Sequence, residues 1–135
     1  MPMSQHDDEI YKDILLESLE QAIEEGDLEE DILPALRAFN EVTGVVTVQS
    51  CSGHPERDIY FAFIDMHICE YLWDWIQDSI GFILDGDPVA AIQLHYDTGE
   101  DGIQRVLRVR SHGGTWGAEA VPGFVTIAKK LKRAF

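Results

Sequence analysis

Residues 45–55 have the sequence VVTVQSCSGHP, an apolar stretch that runs directly into a polar cluster. The β-branched residues at 45–49 predict a strand, because such side chains pack well on a pleated surface. The six residues from Ser50 to Pro55 then place two hydroxyls, a thiol and an imidazole at the end of that strand. These groups are costly to bury and are not needed to turn a chain. We therefore expect a functional site at the end of this strand.

Hydrophobic periodicity on either side of this strand predicts an α+β fold with the element order ααββαββα. A single sheet of about four strands, with helices packed on it, would bury the apolar faces of these elements. A chain of 135 residues has the usual length of one domain, so we expect a single domain over residues 1–135. The predicted elements are an acidic N-terminal helix at about 7–25, a helix capped by Asp31, strands at about 45–50 and 59–64, a helix at about 68–83, strands at 91–96 and 104–111 that form a hairpin, and a C-terminal helix that begins at Pro122.

The predicted strand at 104–111 carries the second polar cluster. Side chains alternate across a strand, which places Leu107 and Val109 in the core and leaves a basic row on the other side, formed by Arg108, Arg110 and His112. Guanidinium groups bind carboxylates and phosphates bidentately, and the following Gly113-Gly114 can bring backbone N–H groups close to an anion. Trp116, in the same glycine-rich loop, is the tryptophan that we expect to contact a ligand. An exposed edge strand that carries charge to prevent aggregation would explain the same pattern, so both interpretations stay open.

The cysteines and histidines allow several kinds of chemistry. Cys51 and His54 have the spacing of metal ligands, and His67 and Cys69 form a second pair, so that the four side chains could bind zinc tetrahedrally. Cys51 could instead be a nucleophile with His54 or His112 as its base, or only a small, partly buried apolar residue. Nothing in the sequence brings the two pairs together, so we predict that no metal is bound.

The sequence also indicates where the protein is found. No apolar run approaches the roughly 20 residues that a membrane span requires, so we expect no association with a membrane. Residues 1–8 lack the basic and apolar parts of a signal peptide. Together with the presence of only two cysteines, this predicts free thiols and a cytoplasmic location.

The net charge of −15 is distributed unevenly along the chain. Residues 1–31 contain twelve acidic residues and one lysine, a net charge of −11, whereas residues 105–135 contain seven basic residues and one glutamate, a net charge of +6. The overall acidity argues against non-specific nucleic-acid binding, which depends on neutralising phosphates. The acidic helix is either a solvated surface or a segment that docks near the basic region of its own chain or of a second copy, which would give a homo-oligomer.

Residues 46–53, in which a strand is followed by Ser-Cys-Ser-Gly, resemble the tRNA wybutosine-synthesising protein 3 family. The segment 107–113 is similar to the family's late strand, which ends in Arg-Ser, and Val121-Pro122 precedes a last helix as in the family. His54 stands where the family has arginine. The resemblance implies an α+β fold and a site built from the Ser-Cys-Ser-Gly loop and the Arg-Ser strand end. It also implies S-adenosylmethionine as cofactor, because members methylate a modified guanosine of a tRNA with it.

Two functions of different classes remain open. The first is a domain that binds a small anionic ligand, with or without catalysis, and the second is a non-catalytic interaction protein that assembles through its acidic N-terminal helix. For the first function, we expect the loop at 50–54 and the segment at 110–114 to lie side by side at one end of the sheet, because sites form where polar groups converge. The candidate ligand-binding residues are Ser50, Cys51, Ser52, Gly53, His54, Arg108, Arg110, Ser111, His112 and Gly113.

Overall fold

The computed structural model describes residues 13, 16, 17, 19–22, 24, 30–99 and 102–135. The α-helices with assigned bounds are α1 (Leu33–Asn40), α2 (Glu70–Asp78), α3 (Ile80–Leu84) and α4 (Val121–Lys132). The strands are β1 (Val45–Cys51), β2 (Phe63–Ile68), β3 (Ala91–Gly99) and β4 (Gly102–Arg110). Short 3-10 helices lie at Glu30–Ile32, Pro55–Arg57 and Gly117–Ala120. No described helix is long and apolar enough to span a membrane.

The four strands form one antiparallel sheet in the order β1-β2-β4-β3. β3 and β4 are the predicted hairpin, in which Gly99 lies opposite Gly102. β1 and β3 are the two edges, and the register of β1 shifts at a β-bulge between Thr47 and Gln49. The predicted α+β fold, with a single sheet of four strands and helices packed on it, is confirmed.

Alternation along the strands gives the sheet two different faces. The apolar face contains buried residues from the two central strands, Ile64, Met66, Leu107 and Val109, and the helices pack on it to form one core. Phe39 of α1 and Phe124 of α4 meet in this core with their ring centroids 6.5 Å apart. The polar face contains Gln49, Cys51, Phe63, Asp65, His67, Arg108, Arg110, Gln93 and His95. Leu107 and Val109 thus lie in the core as predicted, with the arginines on the other side.

The second strand is displaced from its predicted position. The sequence predicted a central strand at 59–64, because this stretch is apolar at nearly every position. In the structure β2 begins at Phe63, and the preceding residues form only isolated bridges, Ile59 with His54 and Phe61 with Thr115. The alternation of Phe63–Ile68 explains the shift, since it places Asp65 and His67 on the polar face and the intervening apolar residues in the core.

Two helix predictions also need correction. The helix predicted at 68–83 is divided into α2 and α3 at Ser79, and Ile68 belongs to β2. Serine and glycine are weak helix formers, and Ser79 is closely followed by Gly81. Asp31 does not cap α1, because it lies in a 3-10 helix and the N-cap position is Ile32, which makes no side-chain capping bond.

The acidic N-terminal helix is described only in part. The described residues from 13 to 24 are helical, and the carboxylate of Glu20 lies 3.5 Å from the guanidinium of Arg37 in α1. The remaining residues of the predicted helix at 7–25 lie outside the described residues, and so does much of the N-terminal part of the predicted single domain. The contact between Glu20 and Arg37 involves α1, whereas the predicted docking partner was the basic region at 105–135.

Candidate ligand-binding site

The two predicted polar segments, residues 50–54 and 110–114, contain residues that lie in the same row across the sheet. Cys51 of β1 pairs with Phe63 of β2, and Phe63 pairs with Arg110 of β4. Neighbouring strands are about 4.8 Å apart, which places the Cα atoms of Cys51 and Arg110 about 10 Å apart. Residues in one row share a face, so the three side chains lie together on the polar face. The segments are therefore at the same end of the sheet, with β2 between the strands that carry them.

Beyond the strand ends, the loop that follows β1 and the loop that follows β4 are bonded to one another. The N–H of Gly117 donates to the carbonyl oxygen of Ser52 over 2.6 Å, and the N–H of Gly114 donates to that of Tyr60 over 2.7 Å. Because backbone bonds of this kind do not depend on side chains, they fix the two loops relative to each other. The loops at this end of the sheet are thus held in a fixed arrangement.

Ser111 reinforces this connection from the interior. Its buried hydroxyl accepts a hydrogen bond from the N–H of Ala62 over 2.7 Å and donates one to the carbonyl oxygen of Thr115 over 2.6 Å. A serine hydroxyl has a single proton to donate, and here the chain itself receives it. We therefore treat Ser111, a predicted ligand contact, as a residue that holds the loops together.

Gly53 and Trp116 form the closest contact between the loops. Gly53 has a φ angle of +107°, and a Cβ atom at this position would lie 2.5 Å from the Cβ of Trp116. Glycine is therefore needed here both for its backbone conformation and for the space it leaves. The Trp116 ring also packs edge-on against Tyr60, with their centroids 5.6 Å apart. Contact of Trp116 with a ligand stays a prediction.

The two arginines of β4 that lie on the polar face, Arg108 and Arg110, have different surroundings. Arg108 donates two hydrogen bonds to the carboxylate of Asp65, over 2.7 and 2.8 Å, and these bonds raise the pKa of its guanidinium. Arg110 is exposed and lies over the ring of Phe61, 4.0 Å from its centroid. Among the described residues, no carboxylate forms an ion pair with Arg110. Of these two arginines, Arg110 is the one that can bind a ligand without breaking an ion pair with a described residue.

The other candidate residues surround this end of the sheet without converging on one point. Ser50 pairs with Ile64, so it lies on the apolar face, away from Arg110. His112 donates from Nε2 to the carbonyl oxygen of Asp87 over 3.0 Å, and the same atom lies 3.6 Å from the Asp87 carboxylate. Nδ1 of His54 lies 3.1 Å from the carboxylate of Glu56. Both imidazoles therefore have acidic neighbours, which makes them weaker partners for an anion. Gly113 is exposed, with open space around its Cα.

The structure separates the two Cys-His pairs that could have bound zinc. Cys51 lies at one end of β1, whereas His67 and Cys69 lie at the opposite end of the β1-β2 pair, where Val45 pairs with Ile68. About six residues of strand separate them, which corresponds to roughly 20 Å. Among the residues that the structure describes, no group of three His, Cys, Asp or Glu side chains could hold a metal ion. The tetrahedral site is thus ruled out as an arrangement of these four residues, and both cysteines are free thiols.

Three residues of β2 and its approach were missed by the sequence analysis. Phe61 lies under Arg110, Phe63 lies under Arg108 with 4.5 Å between its centroid and the guanidinium, and Asp65 holds Arg108. The alternation of polar residues in Phe63–Ile68 was a signal for the correct strand. It would have put Asp65 and His67 on the same face as the arginines.

His67 lies one row beyond Asp65, between β1 and β4, where it pairs with Val46 and Val106. Both valines are buried, and burial lowers the pKa of His67 because the imidazolium form loses its hydration. The carboxylates of Asp97 and Asp65 act in the opposite direction and raise it, but less strongly. The neutral imidazole is therefore favoured at the centre of the polar face.

Comparison with known proteins supports the fold. No protein-family model matches the chain, and no curated protein matches it. Among solved structures, it is similar to the PH1069 protein from Pyrococcus horikoshii, with a TM-score of 0.53, 14% sequence identity and 96% of each chain covered. A structure of the PH1069 protein from Pyrococcus horikoshii OT3 has 17% identity and a TM-score of 0.38, and the alignment covers 93% of this chain and 86% of that one. At this identity the first similarity shows a shared α+β fold, and the site must be interpreted from its own chemistry.

Proposed function

We propose that the protein binds a small anionic ligand through Arg110, at the end of the polar face where Arg110, Phe63 and Cys51 lie in one row. The observation that carries this proposal is the difference between the two polar-face arginines of β4. Arg108 is bound to Asp65, whereas Arg110 is exposed and has no ion-pair partner among the described residues. A guanidinium has five N–H donors in a planar fork, and a carboxylate or phosphate accepts two of them at once.

Phe61 supports this role of Arg110. The guanidinium carbon lies 4.0 Å from the centroid of the Phe61 ring, which is within the range of a cation–π contact. Stacking occupies one flat side of the guanidinium and leaves the N–H groups at its edge directed away from the ring. Because the ring also limits the movement of the side chain, less conformational entropy is lost when an anion binds.

The surroundings of Arg110 favour a small ligand with an apolar part. Phe63 and Cys51 follow Arg110 in the same row and supply an aromatic ring and a thiol rather than further charge. A net charge of −15 repels a large polyanion, while a small anion responds to the local field of the arginine. The resemblance to the wybutosine-synthesising family extends the proposal to S-adenosylmethionine, whose carboxylate suits a guanidinium. It also extends the proposal to methylation of RNA, but a net charge of −15 is unfavourable for binding a polyanion such as tRNA. The cytoplasmic location is proposed on a different ground, the presence of only two cysteines.

A thermal-shift screen tests the proposal. We would measure the melting temperature with inorganic phosphate, nucleotides, S-adenosylmethionine and zinc, because a ligand that binds only the folded state raises it. An anion should raise the melting temperature of the wild type and of Lys129→Ala, which removes an exposed charge from α4, but not that of Arg110→Ala. Equal shifts in all three proteins would show that the anion binds elsewhere. Absence of a shift with every anion would count against the proposed function.

The alternative is a non-catalytic protein that assembles through its acidic N-terminal helix. The ion pair between Glu20 and Arg37 favours it, because both side chains are more than half exposed, at 58% and 54%, and such pairs contribute little to holding a helix in place. Such a helix could exchange this contact for one with another molecule. Removing residues 1–26 should then change the mass in solution, whereas an unchanged mass and melting temperature would argue against assembly through this helix.

A further inference from the structure

The two edges of the sheet are protected to very different degrees. At the β1 edge, the side chain of Asn40 accepts a hydrogen bond from the N–H of Thr47 and donates one to its hydroxyl, both over 2.9 Å. The β-bulge between Thr47 and Gln49 interrupts the same edge. An N–H that is already bonded to a side chain cannot pair with another strand, so β1 is blocked as a docking edge.

The β3 edge contains no β-bulge, and no side chain of the described residues bonds to its backbone N–H groups. Its nine residues pair with β4 in an unbroken register from Ala91 to Gly99. The strand contains no proline, lysine or arginine, and Asp97 is its only acidic residue. Residues 95–99 are all exposed. Proteins normally shorten, bulge, charge or cover an edge strand, because a long regular edge pairs readily with another strand.

We infer that β3 pairs with β3 of a second copy of the chain, antiparallel and about a two-fold axis at His95. The four strands of each copy would then form one continuous sheet across the dimer. Residues that lie opposite each other in a sheet point to the same face, whereas consecutive residues of one strand point to opposite faces. A two-fold axis that pairs β3 with itself must therefore pass through a residue and not between two residues. His95 is the central residue of the strand. A two-fold interface uses the same surface twice and is therefore closed, which limits assembly to two copies.

The side chains of β3 complement one another in this register. On the apolar face, Leu94 would lie opposite Tyr96 of the second copy, and the two-fold axis would generate this pair twice. Tyr96 stacks on Trp73, with ring centroids 4.8 Å apart, yet it is 61% exposed, so Leu94 of the second copy would cover a side chain that is already held in position. The two apolar cores would thus become continuous across the interface.

Charge also favours a second copy in this register. On the polar face, Gln93 would lie opposite Asp97 of the second copy, which places an amide donor rather than a second carboxylate against each Asp97. Two copies that each carry a net charge of −15 need such a weakly charged interface in order to approach. This inference is independent of the proposed ligand site.

Light scattering with size-exclusion chromatography over a dilution series of the full chain tests this dimer. The wild type should be dimeric at high concentration and dissociate on dilution. Gln93→Glu would place two pairs of like charges across the interface and should raise the dimer dissociation constant roughly 2- to 30-fold. Gln93→Lys creates two opposite-charge pairs and should lower it. Gln49→Glu, at the other end of the same row, is the matched control and should leave it unchanged.

A covalent cross-link tests the register separately. At the axis a residue faces its own copy, with Cβ atoms about 4.5–5.5 Å apart, so His95→Cys should form a disulfide-linked dimer under oxidation while Gln49→Cys should not. A wild type that is monomeric at every soluble concentration would overturn the inference. So would a dimer that responds equally to the Gln93 and Gln49 variants.

Discussion

The two faces of the sheet show how one set of strands provides both stability and chemistry. On the apolar face of β4, Leu107 and Val109 are fully buried under the helices. One position further along the strand in each case, Arg108 and Arg110 lie on the polar face, where one binds Asp65 and the other is exposed. Because alternate residues point to opposite faces, substitutions on the apolar face should affect folding. On the polar face, the effect should depend on the surroundings of each side chain: loss of the paired Arg108 should affect stability, and loss of the exposed Arg110 should affect binding.

The largest effect is expected on the apolar face. Leu107→Ala should lower the free energy of unfolding by about 2–5 kcal/mol, because it removes buried methyl groups and leaves a cavity among packed residues. Ile103→Ala is a matched control on the same strand, where the side chain is 46% exposed and its truncation should cost much less. Urea denaturation measures both values. Equal losses would show that burial on this face does not determine stability.

The second prediction concerns the ion pair on the polar face. Arg108→Ala leaves the carboxylate of Asp65 nearly buried and without its partner, which should cost about 1.5–3 kcal/mol of unfolding free energy. Removing both partners should cost less than the sum of the two single substitutions, since no charge is then left unpaired. A double-mutant cycle in urea measures this coupling. A coupling energy of zero would mean that the ion pair between Arg108 and Asp65 does not contribute to stability, although its distances are short.

The alternation that separates the faces could be predicted where it is regular. In β4, the positions of Leu107 and Val109 in the core and of the arginines opposite them follow from period-two spacing alone. The same rule failed for β2, since Phe61 and Ala62 continue an apolar run that ends only at Asp65. The Cys51 loop was recognised because its polar groups have no use in a simple turn.

Contacts between distant parts of the chain could not be predicted from the sequence. Arg108 and Asp65 are 43 residues apart, and only the pairing of β2 with β4 makes them neighbours. The sequence therefore suggested two equivalent arginines, whereas the fold pairs one and exposes the other. The contact of Gly53 with Trp116 likewise depends on two loops that meet only after the sheet has formed.

A smaller effect should appear when the pH is changed. Burial lowers the pKa of His67 below its usual 6.5, so in the acidic range the unfolded chain binds a proton more readily than the folded one. The contribution of His67 to stability is complete above its unfolded pKa and is lost as the pH falls through its folded pKa. Unfolding free energies of wild type and His67→Gln, measured from neutral pH downwards, should therefore converge as the pH falls. A difference in unfolding free energy that stays constant with pH would contradict the predicted direction of the pKa shift.

The smallest effect on folding is expected at Arg110, although its effect on binding should be large. Arg110→Ala removes an exposed side chain with no ion-pair partner among the described residues, so only the contact with Phe61 is lost and the free energy of unfolding should change by less than about 1 kcal/mol. An anionic ligand found by the thermal-shift screen should bind about 1.5–3 kcal/mol more weakly, the range for hydrogen bonds to charged groups. Arg110→Lys keeps the charge but loses the planar fork, so it should restore only part of this affinity. Calorimetric titration of the three proteins measures the effect. Equal affinities would show that Arg110 serves only to keep the end of the strand soluble, and the polar face would then differ from the apolar face in exposure but not in function.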